Sequence, residues 1–129
     1  MMNPGDELPQ HSVEITREQI TAYAEASGDR NPIHLDEEFA KSVGLPGVIA
    51  HGMLQMGLLA TWVTSTVGDH RKLRRLGVRF AGMALPGDTL TFGGRVASVE
   101  NGIATLEVWG QNQRGERVLT KGIAEVKAG

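Results

Sequence analysis

The sequence predicts an α+β fold in which a curved antiparallel β-sheet wraps around a long central α-helix. Two observations carry this prediction. Residues 53–67 form the most apolar segment of the chain, and residues 76–126 contain four runs with the alternation or the composition of β-strands. A sheet of this kind needs cover for its apolar face, and the apolar helix is the one segment large enough to provide it.

The composition is that of a folded protein and excludes several classes of function. The 129 residues fit one domain, residues 1–129, which is long enough to bury a core. Apolar residues make up 40% and charged residues 22% of the chain, which argues against disorder. A formal net charge of −2 does not favour nucleic acid as a partner. Because the chain has no cysteine, disulfides, thiolate metal sites and cysteine nucleophiles are excluded.

The sequence also bears on where the protein is found. Residues 1–10 lack the basic start and the apolar core of a signal peptide, so a cytoplasmic location is expected. The apolar segment 53–67 is too short to cross a bilayer, and polar residues such as Gln55 and Thr61 interrupt it. We therefore expect no membrane partner.

The first helix is predicted to begin at Thr16 and to end at Gly28. Thr16 and Gln19 have the spacing of a capping box, and glycine is a common helix stop. Before this helix, residues 11–15 alternate weakly between apolar and polar side chains, which predicts a short strand. Asp29 is therefore expected just past a helix C-terminus, where the chain turns.

A polar loop carrying Asp29, Asn31 and His34 is expected next. Pro32 prevents the helix from continuing and favours an extended backbone at the residue before it. Asp29 and His34 lie five residues apart, so helical stacking does not place them side by side. A curved loop can nevertheless direct a carboxylate and an imidazole to the same point.

The central helix is predicted to begin at His51-Gly52 and to end at Gly68-Asp69. Before it, Asp36 is expected to cap a second short helix that ends at Gly44, and Pro46-Gly47 indicates a loop. The methionines of the central helix are interpreted as core packing rather than as a cofactor site. Its apolar residues cover nearly all of its circumference, so we expect other structure to enclose it: Met53, Leu54, Met56, Leu58, Leu59, Trp62, Val63 and Val67.

The second half of the chain is predicted to be an antiparallel meander. Residues 70–75, with the sequence HRKLRR, are expected to form a basic linker into the first strand. Asn101-Gly102 and Arg114-Gly115 are typical of hairpin turns, and Pro86-Gly87-Asp88 indicates a further turn. The strand-like runs between these turns would then pair in sequence order.

Two separate motifs together resemble the MaoC-like hydratase/dehydratase family. The first is the segment YAEASGDRNPIHLD, residues 23–36, and the second is GVIAHGML, residues 47–54. The resemblance implies a hot-dog fold and activity on enoyl and 3-hydroxyacyl thioesters. Within the family, the chain is most similar to (R)-specific enoyl-CoA hydratases and to the catalytic B-type subunit of actinobacterial (3R)-hydroxyacyl-ACP dehydratases.

Carried over residue by residue, the resemblance implies that Asp29 and His34 form the catalytic pair. It implies that Asn31 orients a group or binds water, and that the backbone N–H of Gly52 donates to the thioester carbonyl. The implied reaction is reversible (R)-specific hydration of trans-2-enoyl thioesters, or dehydration of (3R)-hydroxyacyl thioesters, in fatty-acid or polyketide-type metabolism. The substrate would be carried by CoA or by an acyl carrier protein. Because the chain has a single hot-dog repeat, we expect a homodimer, or a heterodimer with a related hot-dog subunit.

These groups suit the chemistry of hydration without a cofactor. Adding water across a 2-enoyl thioester needs a base for the water proton, an acid for the α-carbon and a donor to the enolate oxygen. An aspartate and a histidine that share one water supply the proton transfers near neutral pH. The first turn of a helix offers unpaired N–H groups at the positive end of the helix dipole, and Gly52 lets an oxygen approach them. The reaction involves no redox change and no phosphoryl transfer, so no cofactor is predicted.

Neighbouring polar residues have other interpretations. Asp36 is interpreted as a helix cap, and His51 as a structural residue at a helix start. His34, Asp36 and His51 are residue types that bind metals, but their spacing matches no helix-borne pair, so no metal site is predicted. The cations of the basic linker either form a solvated surface or bind the phosphates of CoA or the acidic surface of a carrier protein: Arg71, Lys72, Arg74 and Arg75.

Two other functions fit the same sequence. A hot-dog acyl thioesterase would hydrolyse the thioester and release a free thiol, whereas hydration leaves the thioester intact. A non-catalytic acyl-binding or scaffolding subunit of a heterodimeric dehydratase would be inactive until its partner is added. The intact set of Asp29, Asn31 and His34 argues against the second of these.

Overall fold

The computed structural model describes residues 2–128. Within these residues the chain forms one antiparallel sheet, four α-helices and a short 3-10 helix. The α+β fold class predicted from the sequence is confirmed. In chain order the elements are β1 (His11–Glu14), α1 (Arg17–Ser27), α2 (Pro32–Leu35), α3 (Glu37–Ser42), α4 (Gly52–Val67), the 3-10 helix (His70–Lys72), β2 (Leu73–Phe80), β3 (Thr89–Glu100), β4 (Ile103–Gln111) and β5 (Arg117–Lys127).

The helix caps predicted from the sequence are present. The hydroxyl of Thr16 accepts a hydrogen bond from the Gln19 N–H at 3.0 Å, although the Gln19 side-chain oxygen is buried and makes no return bond among the described residues. Gly28 ends α1 with φ of 78°, a left-handed conformation that glycine adopts without steric cost. Asp36 caps α3 by accepting from the Phe39 N–H at 3.1 Å. These caps determine where the chain leaves each helix.

The meander prediction is confirmed for three strands and wrong for β2. The strand order is β1-β3-β4-β5-β2, with every neighbouring pair antiparallel. Asn101 and Gly102, with φ of 54° and 76°, form the tight turn that joins β3 to β4. By contrast, residues 81–88 are long enough to carry the chain from β2, on the far side of β5, back to β3. A connection of this length does not restrict its two strands to being neighbours.

The basic-linker prediction for residues 70–75 is also wrong in part. Only residues 70–72 form a turn, whereas Leu73 already pairs with Val126 of β5. Arg74 and Arg75 are therefore exposed side chains on an edge strand, and Arg75 lies 3.8 Å from Glu125. The sequence prediction therefore started this strand at residue 76, three residues after its observed start at Leu73.

Helix α4 packs one face against the sheet. Trp62 and Leu59 are buried in the same apolar cluster as Phe92 of β3, with 6.2 Å between the ring centroids of Trp62 and Phe92. The Trp62 indole N–H donates to the Pro9 carbonyl at 3.0 Å and so holds the N-terminal segment across the helix. Within residues 2–128, none of the helices has both the length and the apolar character of a membrane span.

The prediction that α4 is enclosed on all sides is wrong for the single chain. Met53 is 60% exposed, and Gly57 and Thr61 continue the same exposed face at four-residue spacing. The opposite face of α4 is the one that packs into the apolar cluster shared with the sheet. Apolar composition around a helix indicates what can be buried, but it does not determine which face another element reaches.

Candidate active site

The end of α1 and a short second helix position the predicted polar residues. Asp29 follows Gly28, and its Oδ1 atom accepts from the Asn31 N–H at 3.3 Å. The Asn31 side chain accepts from the Ile33 N–H at 3.2 Å and caps α2, whose first residue is Pro32. His34 therefore lies on a helical turn, and its prediction as a loop residue is wrong. Pro32 begins this helix because the fixed φ of proline suits the first helical position.

His34 is held in one orientation by a main-chain carbonyl. Its Nδ1 atom lies 2.7 Å from the carbonyl oxygen of Ile49, and its side chain is 8% exposed. Because a carbonyl only accepts, Nδ1 carries the proton of this hydrogen bond. The Nε2 atom is then directed toward the Asp29 carboxylate, at 4.0 Å from Oδ2. The structure thus brings the predicted carboxylate and imidazole together.

His51 belongs to the same cluster, although the sequence interpretation left it outside the site. Its ring stacks on that of His34, with centroids 3.7 Å apart and planes inclined by 20°. Its Nε2 atom donates to the Asp29 carbonyl oxygen at 3.0 Å, and the tilted Tyr23 ring lies 4.8 Å away between centroids. The available sequence signal was its position directly before Gly52, at the start of α4.

Gly52 places the start of α4 at the site. His51 makes no side-chain cap bond there, and the first bond within the helix runs from the Gln55 N–H to the His51 carbonyl at 3.2 Å. The Gly52 N–H therefore precedes the helical ladder and remains a donor at the positive end of the helix dipole. A β-carbon at this position would lie 3.4 Å from the Phe80 ring, so glycine leaves space between the ring and the helix end.

A cavity of about 410 Å³ connects these groups. Its lining combines an exposed carboxylate, a buried imidazole pair and the helix start. Asn31 does not line the cavity, because its side chain points back to cap α2. The lining residues are Tyr23, Ser27, Asp29, His34, His51, Gly52, Met53 and Phe80.

The cluster does not have the geometry of a metal site. Asp36, one of the metal-binding residue types considered in the sequence, caps α3. Asp29, His34 and His51 do lie together, with candidate ligand atoms within 4.8 Å of one another. One nitrogen of each histidine already bonds to a main-chain carbonyl. A metal lies close to the plane of each imidazole that binds it, and two stacked, nearly parallel rings do not share such a position.

Glu37 ties the surrounding segments together. Its carboxylate accepts from Arg17 of α1 at 2.9 Å and from the Val48 N–H at 3.4 Å. The hydrogen bond from Arg17, followed by that from Val48, lowers the pKa of Glu37 below its ordinary value. This carboxylate joins α1 and α3 to the segment that leads into His51, and the sequence interpretation did not identify it.

The fold and the site together define a hot-dog protein with an aspartate–histidine pair at the start of its central helix. The chain belongs to the family described as "MaoC like domain", which matches residues 2–116. The fatty acid synthase beta subunit TOXC of Cochliobolus carbonum is 36% identical over 101 residues, or 76% of this chain and 5% of that protein. The peroxisomal hydratase-dehydrogenase-epimerase of Saccharomyces cerevisiae is 36% identical over 88 residues, or 67% of this chain and 9% of that protein. The chain therefore spans a small part of these relatives.

Solved structures share the fold over nearly the whole chain. A MaoC-like dehydratase superposes with a TM-score of 0.95 and 36% identity, over 99% of this chain and 41% of that one. The (R)-hydratase from A. caviae involved in PHA biosynthesis has a TM-score of 0.89 and 27% identity, over 99% and 98% of the two chains. A chain of the ChsH1-ChsH2 complex from Mycobacterium tuberculosis has a TM-score of 0.87 and 26% identity, over 98% of each chain.

Proposed function

We propose that this protein catalyses the reversible hydration of trans-2-enoyl thioesters to (3R)-3-hydroxyacyl thioesters. The observation that carries the proposal is the approach of Asp29 Oδ2 to His34 Nε2, at 4.0 Å, in a cavity that also contains the start of α4. The similarity to an (R)-hydratase over 98% of that chain supports the same reaction class.

The proton transfers follow from the orientation of His34. With Nδ1–H bonded to Ile49, Nε2 is the nitrogen that accepts a proton. A water about 2.8 Å from both Nε2 and Asp29 Oδ2 fits a separation of 4.0 Å between these two atoms. The water oxygen adds to the β-carbon as its proton passes to the Asp29–His34 pair, and a proton returns from the pair to the α-carbon. Dehydration follows the same steps in reverse.

The start of α4 stabilises the enolate. As the β-carbon is attacked, negative charge develops on the thioester carbonyl oxygen, which accepts from the Gly52 N–H. The helix dipole and the partial cover by Phe80 strengthen this interaction. A single donor of this kind typically contributes roughly 3–4 kcal/mol to transition-state stabilisation.

The substrate carrier is proposed to be CoA or an acyl carrier protein. Strand β2 ends at Phe80, beside Gly52, and Arg74, Arg75 and Arg79 are exposed along it. These cations therefore lead along the sheet edge toward the cavity. Phosphates of CoA, or acidic side chains of a carrier protein, would meet complementary charge on this strand.

The protein is proposed to act as a dimer of hot-dog subunits. The exposed face of α4 that contains Met53 and Thr61 is available for a second subunit. A homodimer is the first candidate. The similarity to one chain of the ChsH1-ChsH2 complex, over 98% of each chain, favours a subunit of a heterodimeric dehydratase as the second.

A single set of assays tests these proposals. Hydration removes the absorbance of the conjugated enoyl group, so purified protein is mixed with trans-2-enoyl-CoA of increasing length and with carrier-protein thioesters. Chiral analysis of the product is expected to give the (3R) enantiomer. A thiol-reactive dye is expected to remain unchanged, and rapid thiol release would instead identify a thioesterase. An inactive wild-type chain that gains activity with a related subunit would favour the heterodimer, and inactivity throughout would reject hydration.

A further inference from the structure

We infer that His51 is a positioning residue that keeps the Asp29 carboxylate close to Nε2 of His34. This inference rests on the proposed function. His51 is 2% exposed, and its Nε2–H donates to the main-chain carbonyl of Asp29 rather than to the carboxylate. The N–H of His51 therefore bonds to the main chain of Asp29 and not to the reacting atoms. Any effect of this hydrogen bond on catalysis is exerted through the position of Asp29.

The first argument is the weak support of Asp29 from elsewhere. The Asp29 side chain is 54% exposed. Its other hydrogen bonds are local, since its N–H donates to the Ser27 hydroxyl at 3.2 Å and its Oδ1 accepts from Asn31 at 3.3 Å. Among the described residues, His51 is the one buried side chain that bonds to this turn. A turn held only by its own residues would leave the carboxylate free to move away from His34.

The second argument is that His51 touches both members of the pair. Its ring stacks on His34 at 3.7 Å, while its Nε2–H reaches the backbone of Asp29. The Tyr23 ring also contacts the His51 ring, with planes inclined by 55°. One buried side chain, His51, therefore contacts both residues and limits how far the Asp29 carboxylate can move from the His34 imidazole.

The third argument concerns the proton on His51. Because the Asp29 carbonyl only accepts, Nε2 carries the proton. The Nδ1 atom is buried and has no hydrogen-bond partner among the described residues. Within the described residues, the hydrogen bond to Asp29 is thus the only one that the His51 side chain makes. A role in core packing alone would not require a polar ring at this position.

Two variants separate the hydrogen bond from the ring. His51→Phe retains an aromatic ring for stacking and removes the donor, and His51→Gln places an N–H near the position of Nε2. We expect His51→Phe to lower kcat by roughly 100-fold, as a displacement of about 1 Å at a catalytic group does, with little change in KM. His51→Gln is expected to restore most of the lost kcat. The exposed His11 provides the control, and His11→Phe is expected to retain wild-type kcat.

A structural readout keeps this test independent of the proposed function. Crystal structures of the wild type and both variants give the distance from Asp29 Oδ2 to His34 Nε2, which is 4.0 Å here. The distance is expected to lengthen in His51→Phe and to return in His51→Gln, while thermal unfolding shows that each variant is folded. Wild-type kcat with an unchanged distance in His51→Phe, or no recovery in His51→Gln, would overturn the inference. If the wild type is inactive on every thioester, hydration is rejected, and the distances alone decide whether His51 positions Asp29.

Discussion

The Nδ1–H of His34 donates to the carbonyl oxygen of Ile49 at 2.7 Å, and this bond determines which nitrogen faces Asp29. Ile49 lies in the segment before α4, and its own N–H donates to the Ile33 carbonyl at 3.1 Å. The two segments that carry the site are thus joined through their main chains. The proposed chemistry depends on this connection because it leaves His34 Nε2 as the proton acceptor.

The proposed catalytic pair of Asp29 and His34 is tested by Asp29→Asn and His34→Ala. Each change is expected to lower kcat at least about 100-fold, since general acid–base groups typically contribute 10²- to 10⁴-fold. Turnover of a short enoyl-CoA is measured together with far-UV circular dichroism. Asp36→Asn is the matched control, because asparagine also caps helices and Asp36 lies outside the cavity. Wild-type turnover in both Asp29→Asn and His34→Ala would reject the assignment.

The donor at the start of α4 is tested by Gly52→Pro. Proline removes the N–H, suits the first position of a helix, and is compatible with the extended backbone of His51, at φ −60° and ψ 141°. We expect kcat to fall by roughly 10²- to 10³-fold.

Gly52→Ala provides the control because it retains the N–H. Its β-carbon would lie 3.4 Å from the Phe80 ring, which is tight but tolerable for an exposed side chain. Kinetic constants and thermal midpoints are compared for the two variants. If both variants are folded and Gly52→Pro keeps the near-wild-type activity of Gly52→Ala, this N–H is not used.

Glu37→Gln is expected to reduce stability at neutral pH. The hydrogen bond from Arg17 lowers the pKa of Glu37 in the folded protein below its ordinary value of 4.5. The ionised carboxylate therefore stabilises the fold above about that pH, and the contribution is lost as the pH falls through the lowered pKa.

Thermal midpoints of the wild type and Glu37→Gln should therefore differ at pH 7 and converge in acid. Glu38→Gln, at the exposed neighbouring position, is the control and should leave the midpoint nearly unchanged. A difference that persists unchanged to low pH would contradict an ionic origin for the effect.

Leu59→Ala tests the packing of α4 on the sheet. Leu59 is fully buried, so truncation is expected to lower the free energy of unfolding by about 2–5 kcal/mol. Val43→Ala, at a position that is 54% exposed, should cost no more than about 0.5 kcal/mol. Denaturant unfolding measures both. A similar loss for the two variants would show that the observed core does not account for stability.

Several parts of the fold could be predicted because their causes are local. Thr16 and Gly28 bound α1 through a side-chain acceptor and a left-handed backbone, and Asn101-Gly102 forms a tight hairpin for the same kind of reason. The position of Asp29 just past the end of α1 followed from these signals. Such features depend on a few adjacent residues, so they can be derived without knowing the rest of the structure.

The sequence by itself therefore determined the ends of α1 and α4, the β3–β4 turn and the residue types available for chemistry. Only the tertiary structure placed β2 beside β5, left Met53 exposed and brought His51 onto His34. These relationships join segments that are distant in the chain, and they depend on which surfaces pack together in space. The periodicity of a sequence indicates which side chains can be buried. Which contacts those side chains make depends on how the elements pack in the folded chain.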